Sequence, residues 1–205
     1  MALLGQAAVA MWWEIAPAQR AEFEHWHSFE HFPERLSIPG FRRGTRWANA
    51  EGGDGYFVIY ELDAYETLTS PHYLARLNDP TPWSQKMMPH HRNMVRSQCR
   101  LVESFGAGVS GFALTVRFSS PPPGLAATLR ELPMRFGIAG AHLLHTQTPR
   151  AAQTTEQKIR GGDAVADWIV LVTGYDRDVL ARLEPVPAAR RDLFRLSHTL
   201  TPADL

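Results

Sequence analysis

The sequence predicts an α+β fold made of two tandem βαββαβ units, residues 1–105 and 106–205, whose antiparallel sheets pack into one α+β barrel. Three observations carry that expectation. The first is an internal echo. Ser37-Ile38-Pro39-Gly40-Phe41-Arg42-Arg43 returns in outline as Gly137-Ile138-Ala139-Gly140-Ala141-His142-Leu143, and Met94-Val95-Arg96 as Leu193-Phe194-Arg195. Both recur at nearly the same offset, the signature of one structural unit used twice. The second is the order of segments, which runs strand, helix, strand, strand, helix, strand in each half. The third concerns surfaces. A four-stranded antiparallel sheet with both helices on one face leaves its other face bare, and two units in one chain can cover each other.

In the first unit the apolar stretch before Met11-Trp12-Trp13-Glu14 reads as a strand near 8–15. It lacks the basic start of a signal peptide. A helix from about Ala18 to His31 follows, introduced by Pro17, whose missing N–H costs nothing in a first turn, and limited by Pro33. Strands near 41–48 and 55–62 flank the glycine cluster Glu51-Gly52-Gly53-Asp54-Gly55, which suits a hairpin. Helical material spans Ser70 to His90. Ser70-Pro71 forms an N-cap and first-turn pair, and Asp79-Pro80-Thr81-Pro82 divides the region into two helices. A strand near 93–103 closes the unit. The order is that of the ferredoxin-like split arrangement.

The second unit repeats it. A strand near 110–118, a Pro121-Pro122-Pro123 break and a helix from about Gly124 to Arg135 precede strands near 139–147 and 167–175. Between these strands lies a polar insert, Gln153 to Asp163, which reads as a mobile surface loop and a candidate lid. A helix from about Asp176 to Leu183 and a last strand near 191–200 complete the copy. In that strand Phe194, Leu196, His198 and Leu200 alternate with Arg195, Ser197 and Thr199.

Composition limits the partners. The 205 residues hold 21 Lys plus Arg and 21 Asp plus Glu, so no global field draws the chain to nucleic acid or an acidic membrane. The one cysteine, Cys99, allows no intrachain disulfide, and no apolar run is long enough to span a bilayer. A cytoplasmic protein with a hydrophobic small-molecule partner is the expectation. A homodimer contact through the outer surfaces is compatible with it.

Glu30-His31-Phe32-Pro33-Glu34-Arg35-Leu36 runs into Ile38-Pro39-Gly40-Phe41, with Arg46-Trp47 and the Tyr56–Leu62 strand after it. This segment resembles the dimeric α+β barrel superfamily, which includes EthD-like proteins, antibiotic-biosynthesis monooxygenases and polyketide cyclases of the tetracenomycin type. The resemblance covers the first half by motif and the second by element order. It implies a fold and a pocket. The superfamily ranges from oxygenases and isomerases to proteins with no known activity, so the resemblance singles out no reaction.

Chemistry concentrates in the first helix. At about 100° per residue, Phe23, Trp26, Phe29 and Glu30 share one face, with His27 and His31 on its flank. Aromatic residues at that spacing are more often packing than a binding site. His31 falls where Pro33 turns the chain. A helix C-terminus favours the protonated imidazole, and Glu30 and Glu34 add to that, which would make His31 a catalytic acid or base near neutral pH. A solvated or structurally bonded histidine is the plainer alternative. His27 to His31 also spells H-x-x-E-H, whose histidines can meet one metal, but no third ligand is evident, so no metal is expected. Alternation along β-strands puts Phe41, Arg43, Thr45 and Trp47 on one face, and Tyr60 lies on a neighbouring strand that is apolar on both sides. Trp12, Trp13, Trp47 and Tyr60 are expected to clasp a flat hydrophobic ligand, with Arg43 meeting its carbonyl, phenolate or carboxylate. The same residues could equally be plain core.

In the second unit Leu132-Pro133-Met134-Arg135-Phe136-Gly137 replaces the histidine segment and contains no group that titrates near neutrality. The expectation is one site, in the first unit, with the second as cover. Two functions fit. One is a small enzyme acting by acid/base chemistry on an aromatic or polyketide-like molecule. The other is a non-catalytic small-molecule or haem-binding protein. No Gly-rich phosphate loop is present, which disfavours nucleotide cofactors. No cofactor is required, and the sequence excludes neither haem nor flavin.

Overall fold

The computed structural model describes residues 3–147, 154–187 and 189–205. Eight strands form: β1 Ala7–Glu14, β2 Phe41–Asn49, β3 Gly55–Leu62, β4 Arg92–Gly106, β5 Phe112–Phe118, β6 Ile138–Thr146, β7 Trp168–Gly174 and β8 Arg190–Leu200. They close into a barrel in the order β1-β3-β2-β8-β5-β7-β6-β4, every ladder antiparallel. The first four strands lie as β4-β1-β3-β2 and the last four as β8-β5-β7-β6, and the β2–β8 and β4–β6 ladders join the halves.

The helices are α1 Arg20–Trp26, α2 Phe32–Leu36, α3 Pro71–Asn78, α4 Pro82–Met87, α5 Leu125–Glu131, α6 Thr155–Arg160 and α7 Arg177–Arg182. Side-chain caps start several of them. Ser70 Oγ accepts from the Tyr73 amide at 3.3 Å and Thr81 Oγ1 from the Ser84 amide at 3.0 Å, so the proline-rich break divides α3 from α4. None of the described helices is long and apolar enough to cross a membrane.

The polar insert differs from its expectation. Gln153 lies outside the described residues, but 154–163 are ordered around α6. Thr154 and Gln157 form a capping box, and Gly161 ends the helix at φ 82°. Glu156 on α6 is only 3% exposed. Although it belongs to the second half of the chain, α6 packs on α3 and on the turn Met88–His90 of the first.

Side chains sort into a barrel core and two outer layers. Inside the barrel, Trp12, Trp47 and Phe57 stack beside small residues such as Ala8, Ala10 and Ala113, the large-with-small filling that a tapering barrel needs. Outside it, the first half packs Val9, Met11 and Trp13 under Phe23, Trp26 and Phe32. The second half packs Leu114 and Val116 under Leu125 and Leu129.

Two bulges reassign faces that simple alternation predicts. The β2–β3 register shifts between Phe41 and Arg43, which leaves Phe41 in the outer layer while Arg43, Thr45 and Trp47 pair with the inward-facing Glu61, Ile59 and Phe57. The β2–β8 register shifts opposite Arg46 and Trp47, so Phe194 and Leu196 point inward while Leu200 joins the outer layer and His198 stacks on Phe32 at 5.7 Å. Expectations placed each set on one face, and periodicity alone does not locate a bulge.

Gly106 ends β4 at φ 92°, where an added Cβ would lie 2.1 Å from the Ala139 carbonyl oxygen. Gly52 has a similar φ of 85° with nothing within 4 Å. Backbone strain alone costs about 1–2 kcal/mol. Gly106→Ala is therefore expected to destabilise by clearly more than Gly52→Ala, by about 2 kcal/mol or above. Urea denaturation of both variants measures the difference.

Candidate functional site

The segment that holds the candidate histidines is not a regular helix. After α1 the chain makes a π-helical turn, His27–His31, in which the Phe32 amide donates to the His27 carbonyl, and α2 continues to Leu36. Pro33 explains the turn. It offers no N–H to the carbonyl of Phe29, and its ring would crowd that oxygen in an α-helix, so one wider turn accommodates it without ending the helix. The extra residue rotates the register. His27 and His31 become 1% and 9% exposed, with ring centroids 5.3 Å apart, and Phe29 swings out to 75% exposure. Phe29 is thus not on the packed face. His31 is also not at a helix C-terminus, which removes the dipole expected to favour its protonated form.

Between this helical run and the outer face of β1, β3 and β4 lies a narrow, partly open cavity. Trp13, Tyr60, Met94 and Arg96 project from the strands, Trp26, His27, His31 and Arg35 from the helical run, and Tyr73 and Leu77 from α3. Met88 and His91 close one side, and Glu156 and Arg160 of α6 roof it. About 40 Å³ admits the centre of a water molecule, space for a few waters. Five of its lining residues each carry a buried polar atom with no hydrogen-bond partner among the described residues: Trp13 Nε1, His27 Nδ1, His31 Nδ1, Arg35 Nη1 and Tyr60 OH. Buried polar groups are nearly always bonded, so five such atoms among the residues of one cavity single it out as the candidate site.

Charge around the cavity is organised by one carboxylate. Glu156 pairs with Arg35 Nη2 and lies 3.5 Å from Arg160 Nη1, while Arg160 also reaches both oxygens of Asp163 at 3.2 and 3.0 Å. Arg35 loses ground to burial, but Glu156 and Glu34 more than offset it and raise its pKa. Arg96 donates to Tyr73 OH at 2.6 Å. The histidines respond to burial and to these cations. Burial, then Arg35, His91 and Arg160, hold His31 well below the usual imidazole pKa. Burial, then Arg46 and His31, do the same to His27. Burial, then Arg160, brings His91 down to about 3. Glu34 Oε2 lies 3.8 Å from His31 Nδ1, too far for a hydrogen bond, and burial raises the Glu34 carboxyl. His31 is therefore a neutral imidazole, and its contact with Glu34 is not an ion pair. Burial likewise holds the proton on Tyr60.

Of the five residues singled out in the sequence, the cavity brings together Trp13, His31 and Tyr60. Arg43 and Trp47 lie on the other side of the sheet. Arg43 donates to Glu61 at 2.7 and 2.9 Å, and Trp47 stacks on Phe57 at 5.4 Å within the barrel. Trp12 is with Trp47, because neighbouring residues on a strand face opposite ways. The expected four-aromatic clasp is therefore divided between barrel core and cavity. Sequence reasoning did not select His27, His91, Arg35, Glu156 or Arg160 as site residues. The H-x-x-E-H spacing was the available signal for His27, and Arg35 stands within the motif segment. Glu156 and Arg160 sit in a polar stretch that gives no sign of burial. Among the described residues no three His, Cys, Asp or Glu side chains are grouped to hold a metal ion.

No family model matches the sequence, and no curated protein matches it. Solved structures do share its fold. An anthrone oxidase-like protein superposes over 97% of this chain and 94% of its own, with a TM-score of 0.63 at 9% identity. A candidate monooxygenase from Fusobacterium nucleatum covers 97% and 96% with a TM-score of 0.58 at 6% identity. Another from Lactobacillus acidophilus covers 96% and 97% with a TM-score of 0.55 at 10% identity. At such identities the likeness is one of fold.

The neutral histidines make stability depend on pH. Their folded pKa values lie below the unfolded value, so the unfolded chain binds the additional protons as pH falls. Their contribution is complete above about pH 6.5 and declines below it. His91 and His142 are both held at about 3, His142 by burial and then Arg43. Each is expected to cost about 1.4 kcal/mol per pH unit between its unfolded and folded pKa. Urea denaturation from about pH 7 to about pH 5 should show a falling midpoint, and His142→Gln should lessen the slope by about one proton.

Proposed function

We propose that this chain is a small enzyme that removes a proton from a hydrophobic, aromatic or polyketide-like molecule in the cavity of its first half. The observation that carries it is the set of five unpartnered buried polar atoms on residues that line one cavity. A neutral His31 with a free Nδ1 is the general base, and Trp13 and Tyr60 form part of the substrate's wall. Arg35 Nη1 and the Tyr60 hydroxyl receive the oxygen on which negative charge collects. The proton of an acidic C–H or O–H passes to His31, and the electron pair it leaves delocalises into that oxygen. Nearby cations make His31 a weaker base but favour the anion, so the same charges act on both sides of the transfer.

We also read the two halves as copies of one unit, paired within one chain. Their identical strand order and the echoed motifs support this. The second copy lacks the histidine segment, and its part is to cover the first through α6. The anthrone oxidase-like protein that shares this fold suggests a first substrate to try. Anthrone has a methylene made acidic by its carbonyl and rings.

Anthrone in heavy water should exchange its methylene hydrogens faster with the protein than in buffer, followed by proton NMR. His31→Gln, which keeps much of the volume, should lower the acceleration by about 10²-fold or more while leaving circular dichroism unchanged. An undiminished rate in that variant rejects His31 as the base. Because His31 stays neutral below its usual range, the rate should show no inflection near about pH 6.5. A clear inflection there would assign the proton transfer to a solvated group.

A further inference from the structure

The cavity is far smaller than the molecules just proposed, and a larger space adjoins it. An open cleft of about 780 Å³ lies at the end of β1 and shares Trp13, His91, Met94 and Arg160 with the cavity wall. Substrate-sized pockets run from about 300 to about 1,000 Å³, so the volume for most of a polycyclic ligand is in the cleft.

The cleft has its own recognition chemistry. Trp12, turned away from the cavity, is covered by the Arg117 guanidinium at 4.7 Å from its ring centre. The Arg117 side chain is 9% exposed. Its Nη2 donates to Asp192 at 2.7 Å, and its Nε is buried with no partner among the described residues. Asp192 is shared with Arg190 at 3.4 Å, so one carboxylate faces two guanidinium groups. The other acids of the cleft are engaged. Asp54 takes Arg20 at 3.3 Å and Arg92 at 2.9 Å, and Glu14 takes Asn93 at 3.0 Å. A buried, incompletely bonded arginine stacked on an indole is complementary to a flat ring that bears a carboxylate.

We infer that the cleft is the outer half of the substrate site and that Arg117, laid on Trp12, binds a carboxylate carried by an aromatic ring system whose other end reacts in the cavity. This rests on the cavity being the reaction chamber. The substrate class is thereby narrowed from aromatic molecules to aromatic acids.

Calorimetric titration with 2-naphthoate and the isosteric 2-naphthamide tests it. The wild-type protein should bind the acid at least about tenfold more tightly, since a charge-assisted bond is worth about 1.5–3 kcal/mol. Arg117→Met should abolish that preference and keep the amide affinity, which also reports that the variant is folded. Asp192→Asn should tighten naphthoate binding by freeing Arg117 of its counter-ion. Equal affinities in the wild type, absence of naphthoate binding, a preference that survives Arg117→Met, or no gain in the Asp192 variant each overturn the inference. Naphthoate preference without exchange of either anthrone or an anthrone carboxylic acid would reject the catalytic reading and leave the carboxylate site standing. Exchange without the preference would do the reverse.

Discussion

Closure of the eight-stranded sheet is the constraint on which everything else in this molecule depends. Taken alone, β4-β1-β3-β2 would end in two unpaired edges, β2 and β4, and so would its counterpart in the second half. Unpaired edges expose a row of backbone donors and acceptors and invite association. The β2–β8 and β4–β6 ladders remove all four edges within one chain. Closure also divides the side chains into those that fill the barrel and those that the helices cover. The barrel interior is occupied by Trp12, Trp47 and Phe57, which leaves space for chemistry only between the strands and the helices or at the barrel's mouth.

The two halves use that outer layer differently. Over β5–β8 the helices pack apolar residues on apolar residues. Over β1–β4 the layer contains His27, His31, Arg35 and Glu156, all at most 9% exposed. A buried ion pair such as Arg35 with Glu156 adds little net stability, because desolvation offsets much of the attraction. Its consequence is positional. Arg160 reaches Glu156 from within α6, but Arg35 reaches it only when α6 lies against the first half, so that pair ties a helix of one half over a chamber in the other. Arg160, tied to Glu156 and Asp163, then stands at the wall that the cavity and the cleft share.

Most of this architecture was legible because strand alternation, proline breaks and capping residues act locally. The Gly55–Leu62 strand and the division of α3 from α4 follow from residues within a few positions of each boundary. The bulges in β2 and β8 did not show, since a bulge depends on how two strands distant in sequence pair. Arg43 and Trp47 do share the face that alternation predicts, but alternation does not say which face of the strand turns into the barrel, so they stood among the candidate ligand contacts. The π-turn was hidden for a related reason. Pro33 signals a disturbance in the helix, but whether the chain stops or widens there is settled by the packing of Phe32 and Leu36 beneath it. Glu156 was the least legible residue, because a glutamate in a polar stretch becomes buried only when an arginine over a hundred positions away awaits it.

The position of the histidines also bears on how a substrate could enter. Widening the barrel core would break interstrand ladders that hold the whole sheet closed. Widening the helix layer on the side of α6 moves a six-residue helix whose contacts with the first half include Glu156 to Arg35 and the Thr155 amide to Asn78 Oδ1 at 3.2 Å, and strains the segment after it, where Ala164 forms backbone bonds with Met94 and Arg96. Local opening follows the elements with fewest buried contacts. The chamber beneath α6 is thus bounded on one side by the ladders that close the barrel and on the other by a small helix held through a buried ion pair and a few backbone contacts.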